Sequence, residues 1–318
     1  MIDAHIHYLR PEWGDALWSP EARRRSSIWP KIYLRLLALA DPTMFLHAMD
    51  ARAIERAVLY PELSIAPGPQ TPGGAAAALT MTRAMNDTTA TLVAQHPDRL
   101  IGLAVVNPLG NAEDLVELKR AVLALGLRGV AIGASYRGET VDAPAARPFL
   151  SLVEALDVPL VVHPTAESAW TMPRDYGLDL LVGVPMDVTA LAVRLLLSET
   201  LTAFPRLRIL LPHLGGGLLA LLGWLDAHAA PEGPRPMERV RRFWVDAATA
   251  TPGMLALAIE SLGSDRVLMG SDWPLSATPR PGDPLSDPAA MVGQLPIGAA
   301  GQAALLADNA RQLFGDDR

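Results

Sequence analysis

The chain opens Met1-Ile-Asp-Ala-His5-Ile-His7, and the reading of this stretch decides the fold. It has the apolar, β-branched character of a buried strand, and residues two apart on a strand share a face, so His5 and His7 present both imidazoles to one side. Two neutral imidazoles on one face fill a core poorly but make a good half-site for a divalent metal. Seven further apolar runs of the same kind lie downstream: Ala57–Tyr60, Leu100–Asn107, Gly129–Gly133, Leu160–His163, Leu207–His213, Phe243–Asp246 and Val267–Asp272. Short runs of this type, bounded by turn residues and separated by helices, predict buried parallel strands. The intervening spacing predicts helices over Ala75–His96, Ala112–Leu125, Ala145–Leu156, Asp187–Phe204 and Thr251–Leu262. Eight strand-like runs recur with helix-like stretches between them, and there is no Gly-rich dinucleotide-binding turn. The fold expected is α/β, a single (β/α)8 TIM-like barrel domain spanning 1–318.

Two stretches interrupt the repeat. Residues 8–56 follow the first strand, are rich in Trp and Arg, include a helix-like Leu34–Leu39, and are read as a lid insertion. Residues 275–296, rich in Pro and Gly, are read as an ordered loop after the last strand. Both leave the C-terminal ends of strands, where barrels of this kind keep their active sites.

Composition removes several function classes. Half of the 318 residues are hydrophobic and 19% are charged, enough for a large core. With 27 basic against 34 acidic residues the net charge is −7, and no face is dense in Lys and Arg, so nucleic acid is not an expected partner. There is no cysteine, which excludes disulfides, thiolate metal sites and a Cys nucleophile. Any metal is therefore held by His and carboxylate. The longest apolar run, Leu214–Leu225, is too short to span a bilayer, and the first residues lack the basic and apolar regions of a signal peptide. The expectation is a soluble, cytoplasmic protein with no membrane partner.

Of the seven histidines, His5, His7, His163 and His213 fall towards the ends of predicted strands, and a barrel brings those ends to one mouth. Asp272 ends the eighth predicted strand, which neighbours the first in a closed barrel. Such a set predicts a divalent metal site, with a carboxylate able to neutralise the ion and to move a proton. His47, His96 and His228 lie in helical or loop contexts and are read as structural or surface residues. Asp246, at the end of the seventh predicted strand, fits either a supporting role behind the metal ligands or a helix cap. Asn107 is expected to organise a loop, and Asp3, read on the face of His5 but deeper in the barrel, to be structural.

These residues resemble the amidohydrolase superfamily. The resemblance rests on Asp3-Ala-His5-Ile-His7, Val162-His163-Pro164, Leu211-Pro-His213-Leu-Gly-Gly-Gly217 and Leu268-Met-Gly-Ser-Asp272-Trp-Pro274. Ala48-Met-Asp50, Leu181-Val-Gly-Val-Pro185, Phe204-Pro-Arg-Leu207 and Asn309-Ala-Arg311 with Leu313-Phe314 extend it over nearly the whole chain. It is similar to the amidohydrolase-related family 2, in the branch of α-amino-β-carboxymuconate-ε-semialdehyde decarboxylase and related aromatic-acid decarboxylases. The resemblance implies a distorted barrel holding one divalent ion, Zn2+ foremost with Mn2+ as the alternative, on His5, His7, His163 and Asp272. It also implies that His213 acts in acid/base chemistry beside the ion, and that the protein is a homodimer. Members of that branch grip substrate carboxylates with arginines of the lid. Here Lys31 and Arg35 flank the matching position, four apart and on one helical face if Pro30 opens a helix, and are the candidate substrate residues. The function expected is metal-dependent decarboxylation of a small unsaturated or aromatic carboxylic acid. The alternative is hydrolysis of a lactone, amide or related bond by a metal-activated water.

Overall fold

The computed structural model describes residues 1–8, 41–61, 71, 73–136, 138–165, 175–275 and 288–315. The chain forms β1 (Ile2–Tyr8), α1 (Pro42–Ala51), β2 (Arg56–Pro61), α2 (Gly74–Gln95), β3 (Leu100–Gly102), β4 (Ala104–Val105) and α3 (Ala112–Leu123). It continues through β5 (Val130–Gly133), α4 (Arg147–Leu156), β6 (Leu160–His163), α5 (Gly183–Leu197), β7 (Ile209–Leu211) and α6 (Leu218–Ala227). β8 (Phe243–Asp246), α7 (Pro252–Leu262), β9 (Val267–Leu268) and α8 (Asn309–Phe314) follow. All pairings between strands are parallel, in the orders β1-β2-β3 and β4-β5-β6-β7-β8-β9. β3 and β4 are halves of one strand broken at Leu103, so the predicted count of eight holds. The ring closes where Ala4 and His7 donate backbone hydrogen bonds to Met269 and Trp273, at 2.8 Å each.

Local chemistry explains where helices begin. Thr251 caps α7, its side chain accepting from the Met254 N–H with Pro252 at the first helical position. Asn111 and Asp114 form a reciprocal capping box at the start of α3. The main core lies between helices and strands, where Phe149, Leu150 and Val153 of α4 meet Val130, Leu160 and Val188. A second core fills the barrel itself: Val58, Ile101, Val161, Leu210 and Trp244 point inward, and Leu313 and Phe314 of α8 pack with them.

Several expectations are corrected. Residues 42–56 are not part of a lid: α1 is the barrel's own first helix, with Phe45 and Met49 buried against Ala57 and Leu59 of β2. The remainder of the proposed lid, residues 9–40, lies outside the described residues. The 275–296 stretch is not all loop, because Pro288–Gly293 is helical. The helix expected over Asp187–Phe204 starts earlier, at Gly183, and breaks after Leu197. The strands expected to reach His213 and Asp272 stop at Leu211 and Leu268: Pro212 has no N–H for the ladder, and Met269 donates its N–H to Leu305 instead of to a strand. Finally, β1 carries an irregularity between Asp3 and Ile6, which pair with Ala57 and Leu59. The extra residue reverses the alternation, so Asp3 shares the helix-facing side with Ala57 instead of the face of His5. Its role is structural all the same: Oδ1 accepts the N–H groups of His5 and Ser271, both at 3.0 Å.

Candidate metal centre and active site

Five of the predicted site residues meet at the C-terminal mouth of the barrel. His5 and His7 come from β1 and His163 from the last position of β6. His213 lies two residues beyond β7 in a short turn, and Asp272 four residues beyond β9. His213, Leu214 and Asp272 have φ of 52°, 55° and 54°, left-handed backbone that side chains other than glycine adopt only where neighbours hold it. The Asp272 segment is fixed by its own N–H, which donates to the His5 carbonyl at 2.9 Å.

The donor atoms converge. His5 Nε2 lies 3.1 Å from His7 Nε2 and 3.4 Å from Asp272 Oδ1, and His7 Nε2 lies 2.8 Å from that same oxygen. His5, His163, His213 and Asp272 each offer a ligand atom, all within 4.8 Å of one another. His5 and His7 are fully buried, His163 and Asp272 nearly so, and His213 is half-buried at the rim. An ion about 2.1 Å from imidazole nitrogens holds neighbouring donor atoms about 3–3.4 Å apart, close to the spacings among His5, His7 and Asp272.

The tautomers fit an ion as well. His163 Nδ1 donates to the Pro164 carbonyl at 2.7 Å, which leaves its lone pair on Nε2, and Nε2 is buried with no hydrogen-bond partner among the described residues. A buried, unfilled lone pair costs about 1–3 kcal/mol unless something occupies it, and a metal cation does so. Burial pushes His163 well below its usual range, helped by His7 and His5, so the ring is neutral, the form a metal ligand requires. Burial also opposes charge on His5, but Asp246 at its Nδ1, with Asp272 and Asp3 nearby, raises it to about 9. Asp272 is held below the ordinary carboxylate range: burial works against this, and the hydrogen bond to His7 and the charges of His5 and His213 outweigh it.

The barrel places two further residues around His5. Asp246, left open by the sequence, bonds His5 Nδ1 through Oδ2 at 2.8 Å and accepts the N–H groups of His213 and Ala248 through Oδ1, at 2.9 and 3.1 Å. It does both jobs, supporting a histidine and capping a turn. Tyr60, not singled out by the sequence, stacks on His5 with ring centroids 4.3 Å apart. The signal available was its position, an aromatic in register with His7 on the neighbouring strand. Asn107 organises its loop as expected, accepting from the Leu109 N–H at 3.1 Å. His47 and His228 are exposed and His96 closes α2, all away from the site. The candidate substrate residues Lys31 and Arg35 lie outside the described residues.

The profile of the amidohydrolase family matches residues 2–315. The chain belongs to the amidohydrolase family. Among relatives of this amidohydrolase, a gamma-resorcylate decarboxylase of Rhizobium radiobacter is 32% identical over 271 residues, covering 77% of this chain and 80% of that protein. A 2-amino-3-carboxymuconate-6-semialdehyde decarboxylase of Dictyostelium discoideum is 27% identical over 205 residues, covering 62% of this chain and 57% of its own length. In structure the chain resembles a dihydroxybenzoic acid decarboxylase of a Polaromonas species, solved with bound manganese and the inhibitor 2-nitroresorcinol. The TM-score is 0.80 at 23% identity, covering 100% of this chain and 97% of that one, which fixes the TIM-barrel fold.

Proposed function

We propose that this amidohydrolase is a metal-dependent decarboxylase acting on a small aromatic or unsaturated carboxylic acid. The observation that carries the reading is the buried cradle of His5, His7, His163 and Asp272 with half-buried His213 at its rim. Its relatives named as decarboxylases of aromatic or muconate acids support the reaction class. His7 is preferred to His213 as fourth ligand because it is fully buried and touches both His5 and Asp272.

When bound, a divalent ion, Mn2+ or Zn2+, supplies Lewis-acid stabilisation of the negative charge that develops as carbon dioxide leaves. The chain's residues supply the rest. His5 and His7 hold the rear of the cradle, the His5 ring fixed from behind by Asp246. As the bond to the carboxyl carbon breaks, its electron pair stays on the substrate carbon, and His213 delivers a proton there. Its rim position lets it face a substrate and exchange protons with solvent. Asp272, kept ionised, stabilises the imidazolium that this role requires. A homodimer is part of the proposal: α6 and α7 expose Leu221, Trp224, Met254 and Leu257, apolar surface of the kind a partner covers.

The test is incubation of the metal-loaded protein with hydroxybenzoates and unsaturated dicarboxylates, following carbon dioxide release. Release from at least one acid is expected. Turnover of lactones or amides with no carbon dioxide from any acid would replace this reading with hydrolysis.

A further inference from the structure

Asp246 ends β8, while His5 lies on β1, with β9 between them in the barrel. Both carboxylate oxygens are engaged. Oδ2 takes the Nδ1–H of His5 at 2.8 Å; Oδ1 takes the backbone N–H of His213 at 2.9 Å and of Ala248 at 3.1 Å. The two amides belong to segments that bend against the preference of L-residues. His213 and Leu214 have φ of 52° and 55°, and Thr249, directly after Ala248, has φ of 62°. Left-handed backbone disfavours any side chain, and a β-branched residue there is a marked outlier. Such conformations persist only where surrounding contacts over-determine them. Asp246 is the side chain bonded to both segments, and they touch each other where Thr249 Oγ1 lies 3.5 Å from His213 Nδ1.

We propose that Asp246 is a positioning residue that couples the metal cradle to the proton-transferring histidine. One oxygen decides which nitrogen of His5 faces the cradle, and the other holds the turn that aims His213. The coupling rests on the reading of this site as a metal-dependent decarboxylase. A carboxylate on Nδ1–H commits the lone pair of His5 to Nε2, the atom beside His7 and Asp272. Asparagine cannot replace it. Its amide has a single acceptor oxygen, so its NH2 must oppose either the Nδ1–H or the two backbone N–H groups. Asp246→Asn, nearly identical in shape, therefore breaks one side of the link.

The experiment compares wild type, Asp246→Asn, His213→Ala and the double variant, each stripped of metal and titrated with Zn2+ and Mn2+ against a chromogenic chelator. Asp246→Asn is expected to raise the metal dissociation constant about 10–100-fold, the usual effect of losing a group that orients a ligand. At saturating metal its kcat should fall at least about tenfold with KM little changed, and that penalty should shrink in the His213→Ala background, because it acts through His213. A dissociation constant and kcat both within about twofold of wild type overturn the coupling, as does a kcat penalty undiminished in the double variant. If Asp246→Asn does not fold, 15N spectra of the Zn2+-loaded wild type decide: the neutral His5 must carry its proton on Nδ1, and an unprotonated Nδ1 overturns the proposal. The chelator titration uses no substrate. Absence of carbon dioxide release would fault the decarboxylase reading while leaving the metal-affinity result to judge Asp246.

Discussion

His7 Nε2 and Asp272 Oδ1 meet at 2.8 Å although 265 residues separate them in sequence. Barrel closure makes the contact. The N–H groups of His7 and Asp272 donate across the seam to Trp273 and His5, stapling the segment after β9 along β1 at the height of the histidines. The carboxylate of the cradle is thus supplied by a loop whose backbone the first strand holds, and metal retention should be sensitive to both sides of the seam.

The purified protein should carry about one divalent metal per chain, since the donor atoms form a single cluster among the described residues. His5→Ala and His163→Ala should each lose metal and turnover together. His163 is the sharper test, because its Nε2 is buried with no hydrogen-bond partner among the described residues and has nothing else to do. Elemental analysis checks stoichiometry, and a fully active, metal-free protein would sink the proposed centre.

His213→Ala should separate chemistry from binding. His213 is the least buried of the clustered residues, at the rim with its Nδ1 towards Thr249. Its loss should lower kcat by about 100-fold, the scale of lost acid/base assistance, while metal content stays near wild type. Loss of metal from this variant would make His213 a ligand, an arrangement its distances to His5, His163 and Asp272 also permit.

The sequence made much of this legible. Buried parallel strands read as apolar runs, so the eight-strand count and the runs Leu160–His163 and Phe243–Asp246 match the structure residue for residue. Histidines in aliphatic strands stood out because they fill a core badly. What failed depends on information that alternation does not carry. The irregularity at Asp3–Ile6 changes faces without changing residue types, so strict alternation puts Asp3 on the wrong side. The ends of β7 and β9 are not legible, because the chain stays mostly buried up to His213 and Asp272 while ladder pairing stops at Leu211 and Leu268. For Asp246 the two readings are not alternatives, since one residue caps a turn and supports a histidine from a strand that is not its neighbour.

Metal uptake should release protons in a pH-dependent way. In the metal-free protein, burial disfavours a charged His5, yet Asp246 and its neighbours raise it to about 9, above the ordinary value of 6.5. A raised histidine contributes stability that is fully present below pH 6.5 and lost as pH rises through about 9. Metal needs the neutral ring, so binding at pH 7.5 must displace that proton. His163 is neutral and Asp272 ionised beforehand, so neither contributes. Calorimetry in buffers of different ionisation enthalpy should find about one proton released from His5 near neutrality, declining above pH 9. Uptake without proton release at pH 7.5 would contradict the charge assigned to His5.

Asn86→Ala should destabilise the barrel without altering its chemistry. Asn86 projects from α2 at the break between β3 and β4, where pairing with β2 ends at Leu59↔Gly102 and pairing with β5 begins at Ala104. Among the described residues, Val105 therefore lacks a strand partner on the β2 side. The Asn86 amide takes that place: Oδ1 accepts the Val105 N–H at 2.8 Å, and Nδ2 donates to the Val105 carbonyl at 3.2 Å and to Glu117 Oε1 at 2.9 Å. An amide can satisfy both groups at once, which no apolar side chain can. Truncation leaves a buried N–H and C=O unmet, and at about 1–3 kcal/mol for each such group a loss of about 3 kcal/mol is expected. The urea midpoint should fall accordingly, while kcat of the metal-loaded variant stays within about twofold at 25 °C, because none of these bonds reaches the histidines. An unchanged midpoint would mean that water replaces the amide at no cost, and the break in the third strand would then owe nothing to Asn86.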